Sequence, residues 1–186
     1  MTNEMHIDAN PPKRICQGDI FQNVEFIEYV RETDGVIEVS KIIFPLVVVL
    51  TQDCDLERDH AIRSVEAGSG IQDKLLLSVL VAPLCNAEHV YEGKQLSDLG
   101  ISSTLINKGR TPGNMLRSNK NPRYHYLQFP AAVPIVSSIV DFKRYFSVNV
   151  EYLRGKEKDR ICKLAELYRE DISQRFASFL SRIGLP

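Results

Sequence analysis

The chain has 186 residues, 44% of them hydrophobic and 25% charged, which suits one globular domain with an apolar core. Its formal net charge is −1, so no global basic field draws it to nucleic acid or anionic lipid, and any such contact must use a local patch. The apolar runs at 42–50 and 75–84 are too short to span a membrane. The four cysteines form no Cys-x-x-Cys pair, and the N-terminus is polar. Together these features predict a soluble cytoplasmic protein with reduced thiols.

The chain begins with a polar segment, residues 1–13, that ends in two prolines and predicts an extended tail. A single domain is expected over residues 14–186. Gly18-Asp19 indicates a turn, and the β-branched and aromatic residues after it predict a strand. Residues 16–30 are therefore predicted to form a strand, a turn and a second strand.

The next segment predicts a hairpin. Asp34-Gly35 supplies positive φ at low cost, and residues 36–43 alternate in polarity as a strand does. The segment "FPLVVVLT" (44–51) is continuously apolar, which predicts a further strand that is buried on both faces.

Later segments predict more strands and then a change of period. Residues 74–84 are predicted to form a second buried strand, and three more strands are expected within 123–129, 134–142 and 145–153. From Asp159 the apolar period becomes about 3.6. This predicts an amphipathic helix over 159–184, with Asp159 as its N-cap and Gly184 at its end. The expected fold is mainly β with α: a small barrel, an inserted loop region and a C-terminal helix.

Four segments in this order resemble the MazF/PemK group of toxins: "QGDIF", "FPLVVVLTQD", "VLVAPL" and, near the end, "IVDFKRYF". The resemblance covers residues 14–85 and 134–183 and implies an SH3-like β-barrel with a C-terminal helix. The toxins are mostly dimeric, sequence-specific endoribonucleases that an antitoxin neutralises. The resemblance therefore implies a bacterial toxin–antitoxin or phage-defence context.

Two positions depart from the toxin pattern. Phe44 stands where the toxins have an arginine that stabilises the phosphoryl-transfer transition state, and Cys85 stands where they have a functional threonine. A phenyl ring neither donates a hydrogen bond nor neutralises a developing negative charge. The family's ribonuclease mechanism is therefore not expected to operate here in its usual form.

The cluster "TQDCDLERDH" (51–60) has several interpretations. In a catalytic one, Cys54 is a nucleophile that needs a cation or histidine to lower its pKa, since Asp53 and Asp55 raise it. His125, on an alternating strand beside Arg123, is the candidate partner. A rebuilt nuclease site would then use Asp53, Cys54, Asp55 and His125, with His125 or Asp55 as general acid or base.

Two other interpretations of the cluster compete with catalysis. The alternating acids from Asp53 to Asp59 look superficially like a calcium loop but lack its glycine and its spaced bidentate glutamate, so no metal and no cofactor is assigned. In a structural interpretation, Asp53 or Asp55 caps a short helix through residues 61–65, and Cys54 is an ordinary buried cysteine.

A basic stretch, residues 106–123, forms the expected inserted loop and contains no acid. Arg110, Arg117, Lys120 and Arg123 are candidates to grip a phosphate backbone, and Tyr124 is a candidate to stack on a base. The alternative is a solvated loop that balances acids elsewhere.

Two functions follow from these observations. The first is a non-catalytic or weakly catalytic MazF/PemK-like module that binds nucleic acid, RNA above all, or a partner protein. The alternative is an endoribonuclease with the rebuilt site. A homodimer is a further candidate assembly, and no membrane partner is expected.

Overall fold

The structure, a computed structural model, describes residues 5–64 and 72–182. Its strands are β1 (Asp19–Thr33), β2 (Val36–Val49), β3 (Ser78–Asn86), β4 (Tyr124–Leu127), β5 (Ser138–Asp141), β6 (Phe146–Asn149) and β7 (Arg160–Lys163). Its α-helices are α1 (Asp53–Ser64), α2 (Ala87–Tyr91), α3 (Thr111–Arg117), α4 (Val150–Arg154) and α5 (Glu166–Leu180). Short 3₁₀ helices lie at Gln72–Lys74, Ser97–Leu99, Phe142–Arg144 and Glu157–Asp159.

The described strands form one antiparallel sheet in the order β4-β5-β3-β2-β1-β7, and β6 also pairs with β3. Strand β3 pairs with three strands: its first half pairs with β6, its middle with β2 and its last residues with β5. Within the described residues no ladder joins β4 to β7, so the sheet is open. The mixed character of the fold, strands with helices, is confirmed, whereas the described strands do not close the predicted barrel.

Strands β1 and β2 continue far beyond the rest of the sheet. Strand β7 pairs with β1 only near Asp19–Phe21, and β3 pairs with β2 only at Val47–Val49. Residues 24–44 therefore form a two-stranded ribbon, here called the arm, with a β-bulge between Ile27 and Tyr29. The prediction of separate strands at 36–43 and 44–51 was wrong: they are one strand, and it is buried on both faces only where β3 covers it.

Two apolar clusters lie on opposite sides of the sheet. Val48 packs with Ile20, Phe142 and Phe176 on the side that α5 covers. Its neighbour Val47 belongs to the second cluster. Successive side chains of a strand point to opposite faces, so a strand covered on both sides needs the unbroken apolar run of β2. That second cluster contains Phe21, Val47, Val49, Leu56, Phe146 and Leu153.

The predicted helix over 159–184 was wrong in its first part. Residues Arg160–Lys163 are β7, paired with β1, and α5 begins only at Glu166, after the N-cap Ala165. Asp159 lies in a 3₁₀ turn rather than at the helix N-cap, and Gly184 lies outside the described residues. The spacing of Ile161 and Leu164 fits a helical stripe, but residues 160–163 satisfy their backbone hydrogen bonds by pairing with the edge of β1.

Two other segments are more ordered than predicted. The basic stretch 106–123 contains α3, which has Pro112 in its first turn. In the N-terminal segment, Met5 is buried and Ile7 forms a bridge with Leu164, so the described part of the expected tail packs on the domain. No helix in the described ranges is long and apolar enough to cross a membrane.

Candidate functional site

The Asp-Cys-Asp cluster lies where β2 gives way to α1. The chain leaves β2 at Val49, and the Thr51 hydroxyl accepts a hydrogen bond from the Leu80 N–H at 2.7 Å. Helix α1 then starts at Asp53, so Asp53 and Asp55 occupy its first turn. Carboxylates are favoured there by the helix dipole and the unpaired N–H groups. The helix predicted at 61–65 is therefore longer and starts earlier.

Asp53 is bound by two arginines. Arg14 donates two hydrogen bonds to its carboxylate at 3.1 and 2.9 Å, the Gln17 N–H donates a third at 3.1 Å, and Arg169 lies 3.0 Å away. Partial burial on its own would raise the pKa of Asp53, but the bonds from Arg14 and Gln17 outweigh it, and the pKa is lowered. Asp53 is thus an ionised carboxylate that joins the N-terminal segment, α1 and α5.

A second ion pair lies beside this one. Asp19 is fully buried and accepts hydrogen bonds from the Cys16 N–H at 2.8 Å and from Arg160 at 3.3 Å. Burial raises the pKa of Asp19 to about 6, although the Cys16 and Arg160 bonds oppose this. With the Lys163–Asp8 pair at 3.1 Å, these contacts connect the N-terminal segment to β1 and β7. Asp19 and Asp8, the acids beside the Asp-Cys-Asp cluster, therefore pair with cations that hold the fold together.

The predicted Cys54–His125 pair is not formed. Cys54 is exposed, and its thiol contacts Gln52 at 3.7 Å and Asp55 at 3.9 Å. His125 is buried on β4, where its Nε2 lies 3.9 Å from Asp171 of α5 and its Nδ1 has no partner. Among the described residues no hydrogen bond joins the two side chains, because β4 turns the imidazole towards α5 and not towards the end of β2.

The environment of His125 also opposes acid–base catalysis. Burial and the nearby Arg175 lower the pKa of His125 to about 3, so the ring is neutral at physiological pH. Asp55 is about half exposed and lies 3.8 Å from Arg58 on the same helix. The four predicted catalytic residues thus lie in three places. Asp53 belongs to the ion network formed by the Asp53, Asp19 and Asp8 pairs described above, Cys54 and Asp55 lie on the surface of α1, and His125 lies in the interior below α5.

Two of the residues predicted to contact nucleic acid, Arg123 and Tyr124, make contacts within the domain instead. Arg123 makes a bidentate pair with buried Asp141 at 2.7 and 2.5 Å, and its guanidinium lies 4.7 Å from the centroid of the Tyr124 ring. Tyr124 is buried, so its ring is not placed to stack on a base. Arg175 donates hydrogen bonds to the backbone carbonyls of residues 119, 121 and 124 and so fixes this segment. Three of the predicted contacts remain exposed: Arg110, Arg117 and Lys120.

A cleft of about 470 Å³ lies at the base of the arm and was not predicted. Its floor is aromatic: the Phe44 ring stacks on Phe146 with centroids 5.0 Å apart, and Phe26 meets Phe146 edge-on at 5.1 Å. The residues that line the cleft are Phe26, Glu28, Ile42, Phe44, Leu96, Leu99, Ile101, Lys143, Arg144, Tyr145 and Phe146.

One wall of this cleft is basic and carries an exposed aromatic ring. Lys143 is exposed, and Arg144 is half-buried, with a buried Nε that has no hydrogen-bond partner among the described residues. Tyr145 is 41% exposed, and its ring meets Phe176 of α5 edge-on with centroids 5.2 Å apart, so one part of the ring packs on α5 and the rest faces solvent. Glu28, the acid among the lining residues, accepts a hydrogen bond from the Ser40 hydroxyl at 2.8 Å. An anion in the cleft would therefore meet cations that have no carboxylate partner among residues 5–64 and 72–182.

A smaller cavity of about 160 Å³ borders the ion network, and its lining includes Arg14, His60 and Arg160. Both arginines are already paired, Arg14 with Asp53 and Arg160 with Asp19. Lys13 and Arg154 also line the cavity, but Arg154 pairs with Glu151 and the lining contains the acids Asp59 and Glu157. An anion would therefore meet more carboxylates here than in the cleft, whose lining in the described part of the chain has one acid, Glu28. In the described ranges no group of three or more His, Cys, Asp or Glu side chains is arranged to hold a metal ion.

The sequence carries two signals for the cleft, and they are about a hundred residues apart. Phe44 is one of the two positions that depart from the pattern of the toxins the chain resembles, and Lys143-Arg144-Tyr145 lies inside "IVDFKRYF". Their proximity depends on the pairing of β3 with both β2 and β6, which no local pattern contains. No family model matches the chain, and no curated protein matches it.

Proposed function

We propose that the protein is a non-catalytic MazF/PemK-like module that binds single-stranded nucleic acid, RNA in the first place, in the cleft at the base of the arm. The observation that carries the proposal is the combination of an exposed tyrosine, an aromatic floor and two cations without carboxylate partners. Proteins that bind single strands combine a basic groove for the backbone with aromatic faces for the bases. The cleft offers both within about 470 Å³.

The resemblance to the toxins supports the same location. Phe44 takes the place of the toxins' catalytic arginine, and Phe44 lines the cleft. A phenyl ring there retains a surface for a base but has no charge for the transition state, which favours binding without cleavage. The placement of β7 beside β1 supports the SH3-like topology that the resemblance implies, although the described strands do not close a barrel. A toxin–antitoxin or phage-defence system is the context this resemblance implies.

Binding is tested by fluorescence anisotropy with a labelled single-stranded RNA of mixed sequence. Tyr145→Ala removes the exposed ring and Lys143→Ala removes the exposed cation of the cleft. Each is expected to weaken binding about tenfold, since a stacked base or a phosphate contact contributes roughly 1–3 kcal/mol. Added salt is expected to weaken wild-type binding and to affect Lys143→Ala less steeply.

Two control variants separate the cleft from other surfaces. Arg117→Ala and Lys120→Ala each remove an exposed cation of the basic stretch. Both are expected to bind RNA like the wild type. Loss of binding in Lys120→Ala with full binding in the two cleft variants would move the site to the 106–123 segment. No measurable binding by the wild type would reject the proposal.

The endoribonuclease alternative keeps one observation in its favour, the exposed thiol of Cys54. The same RNA, incubated with wild-type protein with and without EDTA and separated on a gel, tests it. Intact RNA in every lane would exclude the nuclease. Cleavage that disappears in Cys54→Ala, Asp55→Ala or His125→Ala would establish it in place of the non-catalytic function.

A further inference from the structure

The arm has two chemically different faces. Residues paired across two antiparallel strands lie on the same face, and that face alternates along each strand. The inner face carries Phe26, Ile42 and Phe44 at the cleft, and then polar pairs such as Arg31–Glu38. The opposite face, called here the outer face, is built from the pairs Glu25–Ile43, Ile27–Lys41, Val30–Val39 and Glu32–Ile37.

The outer face is apolar and exposed. Its five aliphatic side chains, Ile27, Val30, Ile37, Val39 and Ile43, are between 46% and 68% exposed. They form one continuous stripe, because the four pairs that contain them follow one another along the same face of the arm. A continuous apolar stripe on a surface marks an interaction site, unlike isolated exposed aliphatic residues, which are ordinary.

The part of the chain that the structure describes leaves this stripe exposed. Both edges of the arm lack a further strand over residues 24–44 of the described structure. A two-stranded hairpin by itself is marginally stable in water and gains its stability from packing of an apolar face. The outer face is therefore the part of the arm that requires a covering surface.

We propose that the outer face of the arm packs against the outer face of a second copy of this chain. Charge complementarity selects this occupant. If the two arms run antiparallel about a two-fold axis at the Val30–Val39 pair, the Glu32–Ile37 pair of one copy lies over the Ile27–Lys41 pair of the other. Glu32 then comes within reach of Lys41 of the other copy, twice per dimer, and Ile27 and Ile37 join one apolar layer.

The area fits a specific but weak dimer. Five half-exposed aliphatic side chains offer on the order of 400 Å² of apolar surface per copy, or about 800 Å² in a face-to-face dimer, which is below the roughly 1,000 Å² of a stable interface and therefore predicts a weak, transient dimer. The inner face stays free, so the cleft remains open in the dimer. Dimerisation is accordingly independent of the RNA binding proposed above, and each can fail without the other.

Sedimentation equilibrium of the full chain tests the dimer. Ile37→Glu places a charge in the centre of the stripe and is expected to raise the dimer dissociation constant at least about tenfold. Val36→Glu is the matched control: Val36 is 67% exposed against 68% for Ile37, and it lies on the inner side of the same hairpin. Val36→Glu is expected to dimerise like the wild type, and far-UV circular dichroism of both variants checks that they fold.

A charge exchange tests the two-fold register. Glu32→Lys and Lys41→Glu are each expected to weaken the dimer severalfold, and the double variant is expected to recover most of the loss. Lys41 also contacts Glu25 of its own chain at 2.8 Å, but that contact is lost equally in the single and double Lys41→Glu variants.

Three results would overturn the proposal. The first is a wild type that stays monomeric up to about 1 mM, a concentration at which a dimer with a Kd of about 1 mM would still be substantially populated. The others are a dimer that Ile37→Glu does not weaken and equal weakening by Ile37→Glu and Val36→Glu. Failure of the double variant to recover would reject the antiparallel register.

Discussion

Buried His125 illustrates how the environment of one residue decides its role. An imidazole on an alternating strand beside an arginine is a reasonable candidate base from sequence. In the structure its Nδ1 has no partner, its ring lies 6.3 Å from that of Phe142, and its Nε2 is 3.9 Å from exposed Asp171. Such a group is a neutral part of the core, and its protonation acts against folding.

The low pKa of His125 predicts a loss of stability in acid. Unfolded, the ring takes up a proton below its ordinary pKa of about 6.5, whereas folded it stays neutral down to about pH 3. The unfolded state thus binds more protons in this window, and the free energy of unfolding falls as the pH drops from about 6.5 to about 3. His125→Phe, which keeps an aromatic ring at this position but cannot take up a proton, is expected to remove on the order of 3 kcal/mol of this loss.

Urea denaturation of wild type and His125→Phe across this pH range measures the difference. Asp19 supplies a term of opposite sign, since its raised pKa of about 6 makes stability fall as the pH rises from about 4 to about 6. Both proteins retain Asp19, so its contribution cancels in the comparison. Parallel pH profiles for the two proteins would show that His125 is not held neutral.

At the scale of elements, the turn before β1 depends on a close approach of α5. Gly18 has φ +81°, and a Cβ there would lie 3.0 Å from the Cβ of Arg169 and 3.2 Å from that of Leu164. Gly35, at the tip of the arm, has nearly the same φ of +77° with nothing within 4 Å. The two glycines share a backbone conformation and differ in their surroundings.

This pair predicts two different costs for the same substitution. Gly35→Ala is expected to lower the free energy of unfolding by about 1 kcal/mol, the price of a left-handed conformation with a side chain. Gly18→Ala is expected to cost about 2–3 kcal/mol, because α5 must also move. Urea midpoints at constant m-value measure both. Equal costs would contradict the close packing of α5 on this turn.

Local patterns predicted local structure well. Period-two alternation and the Asp34-Gly35 turn located the β1–β2 hairpin, and α5 was expected over most of its length. The failures occurred where a distant partner decided the conformation. Ile161 and Leu164 were assigned to a helix because their spacing fits one, yet the edge of β1 draws residues 160–163 into the sheet.

At the scale of the whole molecule, the candidate site was the least predictable feature. Asp53 was predicted as a catalytic residue, whereas in the structure it pairs with Arg14 and Arg169, which lie 39 and 116 positions away and which no motif connects to it. The cleft likewise joins Phe44 to Tyr145 through the sheet. Sequence patterns specify which face of an element is apolar, whereas a site depends on which elements the fold brings together.

The four cysteines, all within the described residues, report on the opening of the whole fold. Cys54 is exposed on α1, while burial raises the pKa of Cys16 to about 11 and that of Cys85 and Cys162 to about 12. The thiolate is the reactive form, so the last three are protected both by burial and by protonation. Their reaction requires the structure to open.

Labelling with an aromatic disulfide reagent at about pH 8 is therefore expected to modify one thiol per chain rapidly and three slowly. The fast phase is expected to disappear in Cys54→Ser, and the slow phase is expected to accelerate in urea in proportion to the population of the open state. Absorbance of the released thiol gives both stoichiometry and rate. A second fast thiol in native buffer would mean that β3 or β7, which carry Cys85 and Cys162, opens locally; the sheet would then not unfold as one unit.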